Sequence, residues 1–286
     1  MITLANDHLR LTLDPAFGAR VTALTDLASG RQWLVPGDCV GGDSYLGEQA
    51  RGWDECFPTV AACSDPVWGD MRDHGLLWGR EWQVGSGPDT CTAVYEEPRF
   101  RFSRRLRLDG GTLTAEYLVT NRTEAPLPYL WSQHVLLATT PADRIALQGV
   151  QDMSADGHPF DWPGHPLRDL SVIGGIGDVF ALKSYGETPL AAHAGITGPA
   201  GGIRFSWTGA GTGGVAGVSA FGLWLDYGGW PPGAPVHQVA LEPCTAPADD
   251  LATVSAMGRA RMLGPGASHA WAVRLSMTPA SPVRTR

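Results

Sequence analysis

Arg99–Leu108 and Thr112–Thr120 alternate apolar and polar residues, and Asp109-Gly110-Gly111 stands between them. Side chains of a strand point to opposite faces in turn, so each run can bury one face and wet the other. Two such runs around Asp-Gly predict an antiparallel hairpin. Arg99, Arg101, Arg105 and Arg107 fall on one face of the first run. A polyanion site is one reading of that face. The alternation favours the other, the solvated side of an edge strand whose charges discourage further pairing.

The same period recurs along the chain. His8–Leu13 and Arg20–Leu24 alternate on either side of the Gly18-Ala19 break, and Arg20 reads as an exposed strand arginine rather than a support for a site. Tyr129–Ala138 is a buried-strand run interrupted by Gln133 and His134. Leu223–Trp230 sets Asp226 among aromatics at a strand end. Val236–Leu241 is a strand that meets Glu242-Pro243, and a proline without an N–H predicts that the chain leaves the sheet there. Asp249–Met257 suits a short helix capped by Asp249 or Asp250, and Ser268–Met277 a closing strand. Gly (37) and Pro (22) supply turns for many short strands, and no repeat or linker divides the 286 residues. The expectation is one all-β domain over residues 1–278, with a frayed tail at 279–286.

Charge and motifs exclude several functions. The net charge is −8 and the 21 Lys and Arg form no block, which argues against nucleic acid or an anionic membrane as partner. Five scattered cysteines (Cys39, Cys56, Cys63, Cys91, Cys244) without a Cys-x-x-Cys support neither a disulfide framework nor a zinc site. The start of the chain lacks a signal-peptide pattern, and no apolar run reaches the roughly 18 residues of a membrane helix, so a cytoplasmic protein is expected. Gly209 to Gly214 fits Gly-x-Gly-x-x-Gly, but a strand pattern follows it, which predicts a hairpin loop and no nucleotide site. Asp152–Asp169 is turn-rich and reads as a lid or rim loop, without the alternating oxygen ligands of a calcium loop.

Pro36–Trp82 is different in kind. It is long and irregular, and it carries Trp53, Phe57, Trp68, Trp78 and Trp82 among Asp54, Glu55, Asp73, His74 and Arg80. Rings interleaved with charges on a loop usually line a site. Trp53 and Trp78 could offer apolar faces to a bound ligand.

The order of motifs resembles the aldose 1-epimerase, or galactose mutarotase-like, superfamily. Gly52 to Pro58 is followed by Asp73-His74-Gly75 and by Arg80-x-Trp82, then by His134 heading an apolar strand, then by Glu242-Pro243. The resemblance implies a large antiparallel β-sandwich and a cofactor-independent interconversion of sugar anomers, by a monomer or homodimer with a small carbohydrate as its only partner. It makes Glu242 the base and His134 the acid, with His74, Arg80 and Asp226 holding sugar hydroxyls. Where the family continues His-Pro-Tyr-Phe, this chain reads His134-Val-Leu-Leu, which points away from the common hexose specificity. Two alternatives stand beside it: a sugar-binding or regulatory protein on the same fold, and an epimerase of phosphorylated or acidic sugars. The last would need basic side chains at the pocket, with Arg20, Arg51, Arg80 and Lys183 as candidates.

Overall fold

The structure, a computed structural model, describes residues 1–37, 45, 50–208 and 217–279. Cys39, the glycine-rich 209–214 segment and most of the predicted tail lie outside them. Two antiparallel sheets dominate. The larger runs, in spatial order, Ile2–Ala5, Leu9–Asp14, Arg20–Asp26, Trp53–Cys56, Ser132–Leu137, His237–Cys244, Ala220–Tyr227, Phe180–Glu187, Gln151–Ala155 and His158–Pro159. The second runs Arg144–Gln148, Ala192–Gly198, Gly201–Trp207, Ser268–Thr278, Thr112–Asn121, Phe100–Asp109, Thr90–Glu96 and Gln83–Ser86. This is the all-β architecture expected from the alternation, arranged as the large antiparallel sandwich that the resemblance implies.

The predicted hairpin is present, with Asp109 opposite Thr112 and Phe100 opposite Asn121. Its first strand is not an edge, because Thr90–Glu96 pairs along its other side. The arginine face is solvated as expected, and it is neutralised by neighbours: Arg101 meets Glu96 at 2.6 Å and Arg105 meets Glu116 at 3.6 Å. The helix also forms, as Leu251–Ala256, with the Asp250 side chain accepting from the Thr253 N–H at 2.7 Å.

Two segments depart from the sequence reading. Trp53–Cys56, inside the stretch read as irregular, is a central strand of the large sheet, paired with Ser132–Leu137. Pro243 does not end its strand, which runs on to Cys244 with Glu242 opposite Gly222. What proline changes is the other side. Pairing to the His134 strand holds at Ser132–Cys244 and Leu136–Ala240, and no rung is made between those two. A strand tolerates proline where no N–H is asked of it. The opened stretch contains both His134 and Glu242.

Between the sheets lies the main core, built from the inward faces of both. Tyr117 and Trp271 stack at 5.4 Å with Trp131 packed against them. Each ring of this kind buries a large apolar area, worth about 25 cal/mol per Å² removed from water. Inside this core one carboxylate, Glu55, is buried with Arg104 at 2.9 Å. Tyr117 Oη and the indole N–H groups of Trp53 and Trp131 also donate to it.

Candidate active site

Successive residues of a strand face opposite sides, so the residues flanking those core positions face outward from the large sheet. Asp54 and Cys56, His134 and Leu136, Gln238, Ala240 and Glu242, Trp224, and Lys183 and Tyr185 share that outer face. A cavity of about 270 Å³ opens on it, lined by His74, His134, Lys183, Trp224, Trp230, Gln238 and Asp249, with Tyr45, Asp73 and small residues completing the wall. That is just under the usual range for small-molecule sites.

His134 and Glu242 come together as the resemblance implies, with His134 Nε2 4.0 Å from Glu242 Oε1. Glu242 is fully buried. Lys183 Nζ donates to both of its carboxylate oxygens, at 2.7 and 2.6 Å, and Ser132 Oγ adds a third bond at 3.2 Å. Lys183 also stands 4.0 Å from Asp249, to which the Tyr185 hydroxyl donates. Burial alone would pull the lysine down, but Glu242 and Asp249 outweigh it and hold the ammonium above its ordinary value. The lysine lines the cavity and the glutamate lies behind it.

His134 is held from its other side. Tyr45 Oη lies 3.2 Å from its Nδ1 and donates to Asp54 Oδ2 at 3.3 Å, while Arg20 Nη2 meets the same oxygen at 2.7 Å. A hydroxyl has one proton to give. With that proton on the carboxylate, Tyr45 accepts from Nδ1–H, and the lone pair falls on Nε2, the atom 4.0 Å from Glu242 Oε1. Burial, then His74, Lys183 and Arg20, drive His134 well below its ordinary value. The ring is therefore neutral, so the proton that its acid role requires is not already in place.

His74 lines the cavity, stacked on Tyr45 at 3.6 Å and edge-on to His134 at 4.7 Å. Its backbone is left-handed (φ 60), a conformation that costs a non-glycine residue roughly 1–2 kcal/mol. The next residue must be glycine: at φ 70, a Cβ on Gly75 would collide with the Phe57 carbonyl oxygen.

The remaining expectations need correction. Trp53 faces the inter-sheet core, donating to Glu55, because its place in the strand is one residue out of phase with Asp54. Trp78 is fully buried behind the pocket wall, edge-on to Tyr45 at 5.2 Å with Arg72 over its ring. Arg80 is exposed and outside the cavity lining. Arg20, read as exposed, is buried on Asp54. Asp226 lies outside the lining; its Oδ1 accepts from the N–H groups of Gly229 and Trp230 and shapes the turn that carries Trp230. Its Oδ2 has no partner among the described residues. Residues 152–169 fold into small hairpins beside a separate cavity and do not reach this one. The residues that sequence reasoning missed are Asp54, Tyr45, Gln238 and Asp249, with Lys183 noted only as a basic side chain.

Among the described residues no three His, Cys, Asp or Glu side chains converge as a metal ion would require. None of the described helices is long and apolar enough to cross a membrane.

No protein-family profile matches the chain, and no curated protein matches its sequence. Solved structures do share its fold. An Escherichia coli K12 structure described provisionally as an aldose 1-epimerase superposes with a TM-score of 0.73 at 19% identity, covering 97% of this chain and 98% of that one. A galactose mutarotase related enzyme from Lactobacillus acidophilus gives 0.70 at 14%, covering 98% of each chain. A galactose mutarotase-like protein from Clostridium acetobutylicum gives 0.72 at 12%, covering 97% and 94%. The chain therefore has the galactose mutarotase-like β-sandwich fold.

Proposed function

We propose that the protein is a cofactor-independent isomerase of the aldose 1-epimerase type, opening and reclosing the ring of a small carbohydrate. The observation that carries this reading is Glu242 beside His134, at 4.0 Å, directly behind the lining of a ligand-sized cavity that His134 and Lys183 border. Ring opening needs a base for the anomeric hydroxyl proton and a donor to the ring oxygen, and nothing else. Glu242 is the base. His134 and Lys183, which both line the cavity beside Glu242, are the two candidates for the donor. Trp224 and Trp230 give it apolar walls for sugar C–H faces, and Gln238, Asp249 and His74 supply hydroxyl partners.

The charge of the pocket supports a neutral sugar over a phosphorylated or acidic one. Lys183 is engaged by Glu242, Arg20 by Asp54, and Arg51 donates to the Pro36 carbonyl at 2.7 Å. The test is thermal protection followed by polarimetry on D-glucose, D-galactose, D-xylose and L-arabinose and on hexose phosphates. A neutral aldose at millimolar concentration is expected to raise Tm and to mutarotate faster than in buffer. Stronger protection by a phosphate would move the substrate to that class. Protection without turnover would leave a sugar-binding protein.

A further inference from the structure

Taking the aldose 1-epimerase reading as its basis, we propose that Lys183 is the catalytic acid of the reaction, the group that protonates the ring oxygen, and that His134 is an acceptor for a sugar hydroxyl. The lysine lies between the cavity and Glu242, so a sugar meets it first. Its two hydrogen bonds to the glutamate, at 2.7 and 2.6 Å, leave one to be exchanged for the anomeric hydroxyl. The anomeric and ring oxygens are bonded to the same carbon, so adjacent base and acid groups can serve both at once. His134 Nδ1 lies 3.2 Å from the Tyr45 hydroxyl, and with that hydroxyl's proton given to Asp54 the ring carries its N–H at Nδ1 and a lone pair at Nε2.

The step balances. The anomeric O–H proton passes to the Glu242 carboxylate and its bond pair becomes the second bond of the new carbonyl. The bond from the anomeric carbon to the ring oxygen breaks, its pair stays on oxygen, and an N–H proton of Lys183 follows it there. A carboxylate and an ammonium become a carboxylic acid and an amine, and the pocket never changes its net charge. A protonated His134 would instead add a charge beside Lys183 and Arg20 in a buried site, the arrangement that burial penalises most. The coupling helps further, because what holds the proton on Lys183 is chiefly the negative charge of Glu242. Once Glu242 is protonated, the lysine becomes the stronger acid. The other titratable groups facing the lysine are Asp249, Tyr185 on its own strand, Cys244, His134, and Cys56 on the Asp54 strand.

The experiment is the pH dependence of enzymatic mutarotation above the buffer rate, on whichever aldose of the panel turns over fastest. An acid at Lys183 keeps kcat level from about pH 6.5 to 9, because the ammonium persists there. A kcat that declines steadily with rising pH, beginning below about pH 6.5 as a lowered histidine loses its proton, would assign the acid to His134 and overturn the proposal. Lys183→Arg supplies the second arm: it keeps a cation on Glu242 but holds its proton too tightly to donate. We expect a loss of about 10²-fold in kcat with sugar binding, read by tryptophan fluorescence, retained. In Lys183→Ala, added alkylammonium ions should restore rate in order of their acidity, which mere refilling of the ion pair would not do. A Lys183→Arg protein as fast as wild type sinks this proposal alone. A wild type that binds sugar and never exceeds the buffer rate sinks the enzymatic reading and this proposal with it.

Discussion

Glu55 and Glu242 are both fully buried carboxylates of the same sheet, each paired with one cation, and their surroundings set them apart. Glu55 faces the inter-sheet core, where a guanidinium, two indoles and a phenol saturate it, and none of these donors lines the cavity. Glu242 faces the other way and is held by one ammonium, which borders the cavity, and by the Ser132 hydroxyl. Burial alone therefore does not make a carboxylate a candidate base. What distinguishes Glu242 is a partner that borders the cavity, which is what the proposed function asks of it.

The largest effect that could break this comparison is on the core side. Arg104→Ala should cost about 3–5 kcal/mol of stability in denaturant titration, because Glu55 is left charged and unpaired away from water. A loss below about 1 kcal/mol would mean that the Glu55 cluster is not the rigid structural pair described.

On the pocket side the expected effect is smaller and depends on pH. His134 has a folded value below its ordinary one, so the unfolded chain binds its proton first as pH falls. Its contribution is intact above about pH 6.5 and is lost on acidification, at up to ~1.4 kcal/mol per pH unit until the folded value is passed. His193 and His269 are lowered too, so the diagnostic is the difference between wild type and His134→Gln, which should lose part of this slope. Equal slopes in Tm against pH would contradict the assignment of a neutral ring.

The smallest effect sharpens the boundary of the site. Arg80→Ala should change stability and sugar-binding free energy by less than about 0.5 kcal/mol each, since the side chain is exposed and outside the cavity. A tenfold loss of sugar affinity would restore Arg80 to the site.

How much of this was legible in the chain follows from what alternation can carry. Period two located the hairpin, the His134 strand and the closing strand, because burial of one face leaves its mark on every second residue. It cannot say what lies beside a strand, so the arginine-bearing strand read as an edge although Thr90–Glu96 covers it. It also leaves the choice of face open. Trp53 and Asp54 are adjacent, and only the register against His134 and Val135 shows that the aspartate faces the pocket and the tryptophan the core. Motif order singled out Glu242 and His134, and the structure brings the two side chains within 4.0 Å. Lys183 could not be tied to Glu242 from the chain, since 59 residues separate them and no motif links them. Tyr45 sits in a stretch without periodicity, and nothing near it in sequence announces that its hydroxyl bridges Asp54 and His134.

The most direct measurement compares Glu242→Gln and Glu55→Gln side by side, by polarimetric mutarotation per folded molecule and by thermal unfolding. Glu242→Gln should lose about 10²–10⁴-fold in rate while still binding sugar, and Glu55→Gln should lose stability while its folded fraction keeps nearly the wild-type rate. A Glu242→Gln protein that is folded and turns over sugar as fast as wild type would contradict the account.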